Sequence, residues 1–168
     1  MPEFIDKLRV TVRVSRPGEP PVEGVLSLLP TSPMHAGPQT LLELLDPPGG
    51  FLPFERTSDD AMLLIARPDI QYVLVPAHVS VDLVRPASYR FTREERVHVR
   101  LRTGEELDGV LQMEMPESIN RTSDYLNGPD RFFPLTTRNG IVLVQKSAVR
   151  EVLLFDESPL PLTDAAGA

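Results

Sequence analysis

Short stretches of alternating apolar and polar residues run through this chain, and the clearest lies at residues 96–102. Val97, Val99 and Leu101 fall on one face, and Arg96, His98, Arg100 and Arg102 on the other. That alternation predicts a half-buried strand. Thr103-Gly104-Glu105 then offers a three-residue hairpin loop, which sets Arg102 opposite Glu106, Arg100 opposite Asp108, Leu101 opposite Leu107 and Val97 opposite Leu111. A two-residue loop would face Leu101 with Glu106, so the longer turn is favoured because it keeps apolar against apolar. Gly109 sits inside the returning strand. Glycine costs strand stability, and its place there predicts a sharp bend or a close approach of backbone.

The same order of features occurs twice. Arg9–Val14, Val22-Glu23-Gly24, Phe51-Leu52-Pro53, Met62–Ile65 and Ile70–Val73 are followed by Arg96–Leu101, Leu107-Asp108-Gly109, Phe132-Phe133-Pro134, Ile141–Val144 and Val149–Val152. The offset drifts slowly, 87 at Val10 and Val97, 85 at Gly24 and Gly109, 79 at Met62 and Ile141. Loop-length differences explain such a drift. The predicted organisation is a tandem duplication: residues 1–84 as one small barrel, 85–155 as a second, and 156–168 as a disordered tail. Each copy also carries a short helical turn between its hairpin and its later strands, at 40–46 and 122–127. Thr40 followed by Glu43 has the spacing of a capping box, and Pro47-Pro48-Gly49 and Gly128-Pro129 end the two turns. Later strands are expected near 131–136, 140–146 and 149–154. With 18 prolines, which are excluded from helix interiors and central strands, short elements joined by many loops are expected.

The stretch Val97–Leu111 resembles the opening hairpin of Sm-like domains, and Ile141–Val144 through Val149 to Val152 is similar to their closing strand pair. The resemblance implies a mainly β fold of two small Sm-like β-barrels. It does not extend to RNA binding: the Asp and Asn of the uridine site have no clear counterpart, since Met113-Glu114-Met115-Pro116 follows the bent strand, and Gln145-Lys146-Ser147 replaces the closing Arg-Gly or Lys-Gly. The arginine-rich run is also similar to the start of PilZ domains, but the Asp/Asn-x-Ser-x-x-Gly that should follow is absent.

Charge and composition narrow the function further. The net charge is −7, residues 1–84 holding 6 basic against 11 acidic side chains and residues 85–168 holding 11 against 13, a balance that disfavours nucleic acid as a partner. Arg85, Arg90, Arg93, Arg96, Arg100 and Arg102 form the local concentration that could meet an anion, but acidic residues stand opposite or beside several of them. Cysteine is absent, which removes disulfides, thiolate metal sites and cysteine nucleophiles. His35, His78 and His98 lack metal-ligand spacing, so no metal or cofactor is expected, and no catalytic motif appears, so neither is an enzyme. Without a leader pattern or an apolar run of roughly 20 residues, a cytoplasmic location and no membrane insertion are expected. The remaining distinctive segment is Asp124–Pro134. Tyr125, Asn127, Arg131, Phe132 and Phe133 combine the aromatic and Arg content that interfaces favour, with one of the two adjacent phenylalanines expected to point outward. The expectation is a non-enzymatic protein–protein interaction or assembly module, with a protein partner or a further copy of itself. The alternative is an RNA-binding or small-ligand (nucleotide) regulatory domain.

Overall fold

The computed structural model describes residues 6–114 and 121–155, so the expected tail at 156–168 lies outside the described residues. Its strands in chain order are β1 (Leu8–Ser15), β2 (Val22–Leu28), β3 (Phe51–Arg56), β4 (Met62–Ala66), β5 (Tyr72–Pro76), β6 (Arg93–Leu101), β7 (Glu106–Met113), β8 (Phe132–Thr137), β9 (Gly140–Gln145) and β10 (Val149–Leu154). Two single-turn helices, α1 (Leu41–Leu45) and α2 (Thr122–Leu126), interrupt them. All ten strands join one antiparallel sheet in the order β10-β6-β7-β8-β9-β5-β1-β2-β3-β4. The run β10-β6-β7-β8-β9 thus repeats, strand for strand, the order of β5-β1-β2-β3-β4. In both runs a three-residue 3-10 turn, Arg67–Asp69 or Lys146–Ala148, connects the fourth strand to the fifth. The sheet is continuous because β9 pairs with β5, so neither run is closed by hydrogen bonding its own fourth and fifth strands.

The alternation of β6 becomes burial: Val97, Val99 and Leu101 are fully enclosed, and Arg100 is exposed. The hairpin register differs from expectation by two residues. Arg100 faces Glu106, Val99 faces Leu107, His98 faces Asp108 and Val97 faces Gly109. Leu101 N–H bonds to the Glu105 carbonyl at 2.8 Å, so the loop is Arg102-Thr103-Gly104, with Gly104 at φ +94°, where an L side chain is disfavoured. A shift of two preserves which face each side chain takes. Apolar patterning is therefore equally content with both registers, and turn geometry decides.

Gly24 and Gly109 occupy equivalent places, opposite Val12 in β1 and Val97 in β6. The offset through both hairpins is therefore 85, and Val12 rather than Val10 stands where Val97 does. A Cβ on Gly24 would strike the Phe54 ring and lie 2.5 Å from the Glu55 carbonyl oxygen; on Gly109 it would lie 2.6 Å from Leu135 Cγ and 2.6 Å from the Thr136 carbonyl oxygen. These glycines let the third strand of each run cross close over the second. Pro53 and Pro134 lie within β3 and β8, against the expectation that prolines avoid interior strands. They are tolerated because β2 meets β3 only at Glu55 and Arg56, and β7 meets β8 only at Thr136. At its proline each strand behaves as an edge.

Candidate functional site

Where β5 meets β9, both strands are apolar at every position from Tyr72 to Val75 and from Ile141 to Val144. Tyr72 faces Val144, Val73 faces Leu143, Leu74 faces Val142 and Val75 faces Ile141. Alternate side chains serve two different cores. Val73, Val75 and Leu143 join the cluster built on β1–β4, while Tyr72, Val142 and Val144 join the one built on β6–β8. A strand covered on both faces reads as an unbroken apolar run, and these do. Buried polar groups fix the register of this seam. Gln145 donates from Nε2 to the Ile70 and Arg67 carbonyls at 2.6 and 3.1 Å, and its N–H bonds to the Gln71 carbonyl at 2.9 Å. Gln71 Nε2 donates to Ser15 Oγ, and its Oε1 accepts from Thr103 Oγ1. Tyr72 OH donates to Glu105 at 2.7 Å; burial first, then that bond to a carboxylate, pushes its phenol up to about 12.

A cleft of about 260 Å³ opens beside the seam, lined by α1, the Arg85–Tyr89 segment, Tyr125, Asp130 and β8. Most of its polar side chains are engaged by neighbours. Thr40 and Glu43 form the expected capping box on α1, and Glu43 also accepts from Ser32 Oγ at 2.8 Å and contacts His35 Nε2. Burial pushes the Glu43 carboxyl up, but its bonds from Ser32 and His35 outweigh that and hold it below the usual range. Arg85 lies 4.5 Å over the Tyr89 ring and bonds to Gln112, and Asp46 accepts from the Arg131 N–H. Tyr89 OH donates to the Gln112 carbonyl at 2.6 Å and accepts from Glu114 N–H at 3.0 Å. Burial is also the largest influence raising the Tyr89 and Tyr125 phenols, so both serve as neutral hydrogen-bonding groups. The arrangement braces α1, α2 and the connection between the two runs.

The residues singled out in Asp124–Pro134 divide sharply. Tyr125 is half-buried in the cleft wall, Asn127 is exposed and closes α2 through its N–H to Ser123, and Arg131 is exposed, with its carbonyl accepting from Lys146 N–H. Phe132 and Phe133 are both buried, which corrects the expectation that one faces outward. Phe133 enters the β6–β8 core, and Phe132 reaches across the seam into the β1–β4 core. Opposite faces of a strand need not mean inside and outside where the sheet is covered on both.

Equivalent positions make the two free edges of the sheet informative. Pairing within β3–β4 and β8–β9 matches Phe51 with Phe132, Met62 with Ile141 and Leu64 with Leu143. Phe132 and Leu143, which cross the seam, are 3% and 0% exposed, whereas Phe51, Met62 and Leu64 are 65%, 62% and 64% exposed. At the opposite edge, pairing with β1 and β6 matches Leu74 with Leu153, which sets Leu154 where Val75 follows Leu74 along the strand. Leu153 is 57% exposed and Leu154 46%. Sequence reasoning missed these residues: Met62-Leu63-Leu64-Ile65 is apolar on both faces, like β9, and only the order of strands shows that it ends the sheet.

The arginine run is occupied within the chain. Arg93 pairs with Glu95, Arg96 stacks 4.4 Å over the Phe155 ring, Arg100 pairs with Glu106 and Glu151, and Arg90 and Arg102 bond to backbone carbonyls. The pairs expected from the sequence, Arg100 with Asp108 and Arg102 with Glu106, are replaced through the register shift. Asp108 instead holds His98 at 2.6 Å. Among the described residues no three His, Asp or Glu side chains gather as a metal site, and no helix is long and apolar enough to cross a membrane. Comparison with protein-family models, curated proteins and solved structures found no match.

Proposed function

We propose that the chain is a tandem pair of Sm-like small barrels acting as a non-enzymatic protein assembly module, with its two open sheet edges as binding surfaces. One observation carries the reading: side chains whose counterparts are buried at the internal seam stand exposed on β4 and β10. An uncharged edge strand such as Met62–Ala66, with apolar residues on its outer face, is the kind of edge that folded proteins normally charge, shorten or cover. Strand addition satisfies such an edge by extending the backbone ladder and filling the spaces between side chains. The same strand order in both runs and the paired close-approach glycines support the tandem reading.

A photo-crosslinking amino acid at Leu64, compared with one at exposed Arg13 on β1, tests the reading in the cell of origin. Discrete protein adducts at Leu64 and none at Arg13 are expected. No adduct at Leu64, or adducts to nucleic acid, would refute it.

A further inference from the structure

We infer that the cleft between α1, the Arg85–Tyr89 segment and β8 is a second binding site, separate from the sheet edges, and that it takes an arginine side chain of a protein partner. That the partner is a protein rests on the assembly reading. The preference for a guanidinium rests on the cleft alone.

Two carboxylates converge at one end of it. Asp46 closes α1, and its Oδ1 accepts from the Arg131 N–H at 3.3 Å, which holds it beside the backbone that carries Asp130. Both residues are exposed. Among the described residues neither carboxylate takes part in an ion pair, and Asp130 accepts no hydrogen bond. The cations of this region are turned elsewhere. Lys146 lies in the field of both carboxylates, but its Nζ donates to the Gly128 carbonyl at 3.1 Å. Arg67 donates to the Leu44 and Gly49 carbonyls. Leu42 N–H bonds to the Val84 carbonyl, so Arg85 sits by the start of α1 and Asp46 at its end, and Arg85 is held there by Gln112 and the Tyr89 ring. Between the two ends the walls are apolar side chains, Leu42, Pro86 and Pro134, with the ring of Tyr125.

Size and charge together select the occupant. At about 260 Å³ the cleft falls below the roughly 300–1,000 Å³ of ordinary small-molecule sites, and its carboxylates repel phosphate, so a nucleotide fits poorly. A magnesium or calcium ion collects about six oxygens or more, which two carboxylates among apolar walls do not supply. One arginine side chain meets each part of the lining. Its aliphatic stem covers the apolar walls, and its planar guanidinium can bond both carboxylates at once and lie against an aromatic face, as Arg85 already lies over Tyr89. The compact, strongly hydrated ammonium of lysine gains less from such a surface.

The tripeptide acetyl-Ala-Arg-Ala-amide, titrated into the full chain labelled with nitrogen-15 and followed by NMR, tests the site. Saturable shifts are expected at the amides of Thr40–Asp46 and Tyr125–Phe132. The citrulline tripeptide, which keeps the shape and removes the charge, and the double variant Asp46→Asn with Asp130→Asn should each bind roughly tenfold more weakly or worse, because charge-assisted bonds are lost. Asparagine at 46 still offers an oxygen to the Arg131 N–H, so the variant should keep the wild-type spectrum elsewhere. Shifts scattered over the acidic surface and unchanged in the double variant, or equal binding of the citrulline tripeptide, would overturn the site. A photo-crosslinking residue at exposed Asn127, two positions from Tyr125, should capture a protein in the cell of origin, and the double variant should lose that adduct. A cleft that bound the tripeptide but captured no protein from Asn127 would be a site for a free guanidine, which would overturn the protein assignment. Adducts at Leu64 in that case would leave the edge reading standing, whereas loss of the Leu64 adducts alone would remove the edges and leave the cleft.

Discussion

Adding one methyl group at Gly109 should lower the stability of the whole chain, and the sign of the change is informative. Alanine in place of glycine ordinarily stabilises a compatible site by about 0.4–1 kcal/mol, because it restricts the unfolded chain. At Gly109 the new Cβ would lie 2.6 Å from both Leu135 Cγ and the Thr136 carbonyl oxygen. Leu135 could turn aside only within a packed core, and the carbonyl belongs to the strand paired at Val110 and cannot turn at all. Overpacking of this kind costs about 1–3 kcal/mol, which outweighs the gain and lowers Tm by roughly 2–12 °C for a chain of this size. Gly109→Val, with a β-branched side chain, should cost more. Gly49→Ala is the control, since a Cβ there meets nothing within 4 Å, and its Tm should hold or rise. Glu106→Gln, which touches only the exposed ion pairs with Arg100 and His98 at 3.4 Å, should cost roughly 0.2–1 kcal/mol. Differential scanning calorimetry decides. A Gly109→Ala protein that melts at or above wild type would refute the close crossing of β8 over β7.

Phe132→Ala should cost about 3–5 kcal/mol by calorimetry because it empties the seam, while Phe51→Ala at the equivalent exposed position should change monomer stability little; equal costs would contradict the different burial of the pair. The His98 imidazole is held above its ordinary value, chiefly by its hydrogen bond to Asp108. Its contribution is therefore complete below the unfolded value near 6.5 and is lost as pH rises through the folded value. Wild-type Tm should fall slightly from pH 6 to 8, and Asp108→Asn should flatten that slope and bring the His98 titration, followed by NMR, back toward normal. Fluorescence anisotropy with oligouridine at low salt should detect no binding, given the net charge of −7 and the internal pairing of the arginine run. Micromolar binding would instead favour an RNA-binding role.

Much of the local structure was legible in the sequence. Alternation at 96–102, the repeated glycine and the Thr40–Glu43 spacing foretold β6, the close crossings and the capped α1, and the later strands appear at 132–137, 140–145 and 149–154. The hairpin register was not, because a two-residue slip leaves every side chain on the same face. The outward role given to Phe132 or Phe133 failed for a different reason. It assumed one wet face, whereas pairing of β5 with β9, residues distant in sequence, covers both. Nothing local distinguishes Met62–Ile65 at a free edge from Ile141–Val144 at the seam, since both are apolar throughout. Only the order of strands separates the covered from the uncovered.

Amide hydrogen exchange with and without the protein that crosslinks at Leu64 tests most directly the claim that the open edges are binding surfaces. Backbone amides of β5 and β9, already paired within the chain, should exchange slowly in both states. The amides of Met62–Ala66 and Val149–Leu154 that point away from β3 and β6 should exchange fast in the free chain and become protected when that protein is bound, with Leu64→Lys abolishing the change. Outward edge amides whose exchange is the same with and without that protein would contradict binding through these strands.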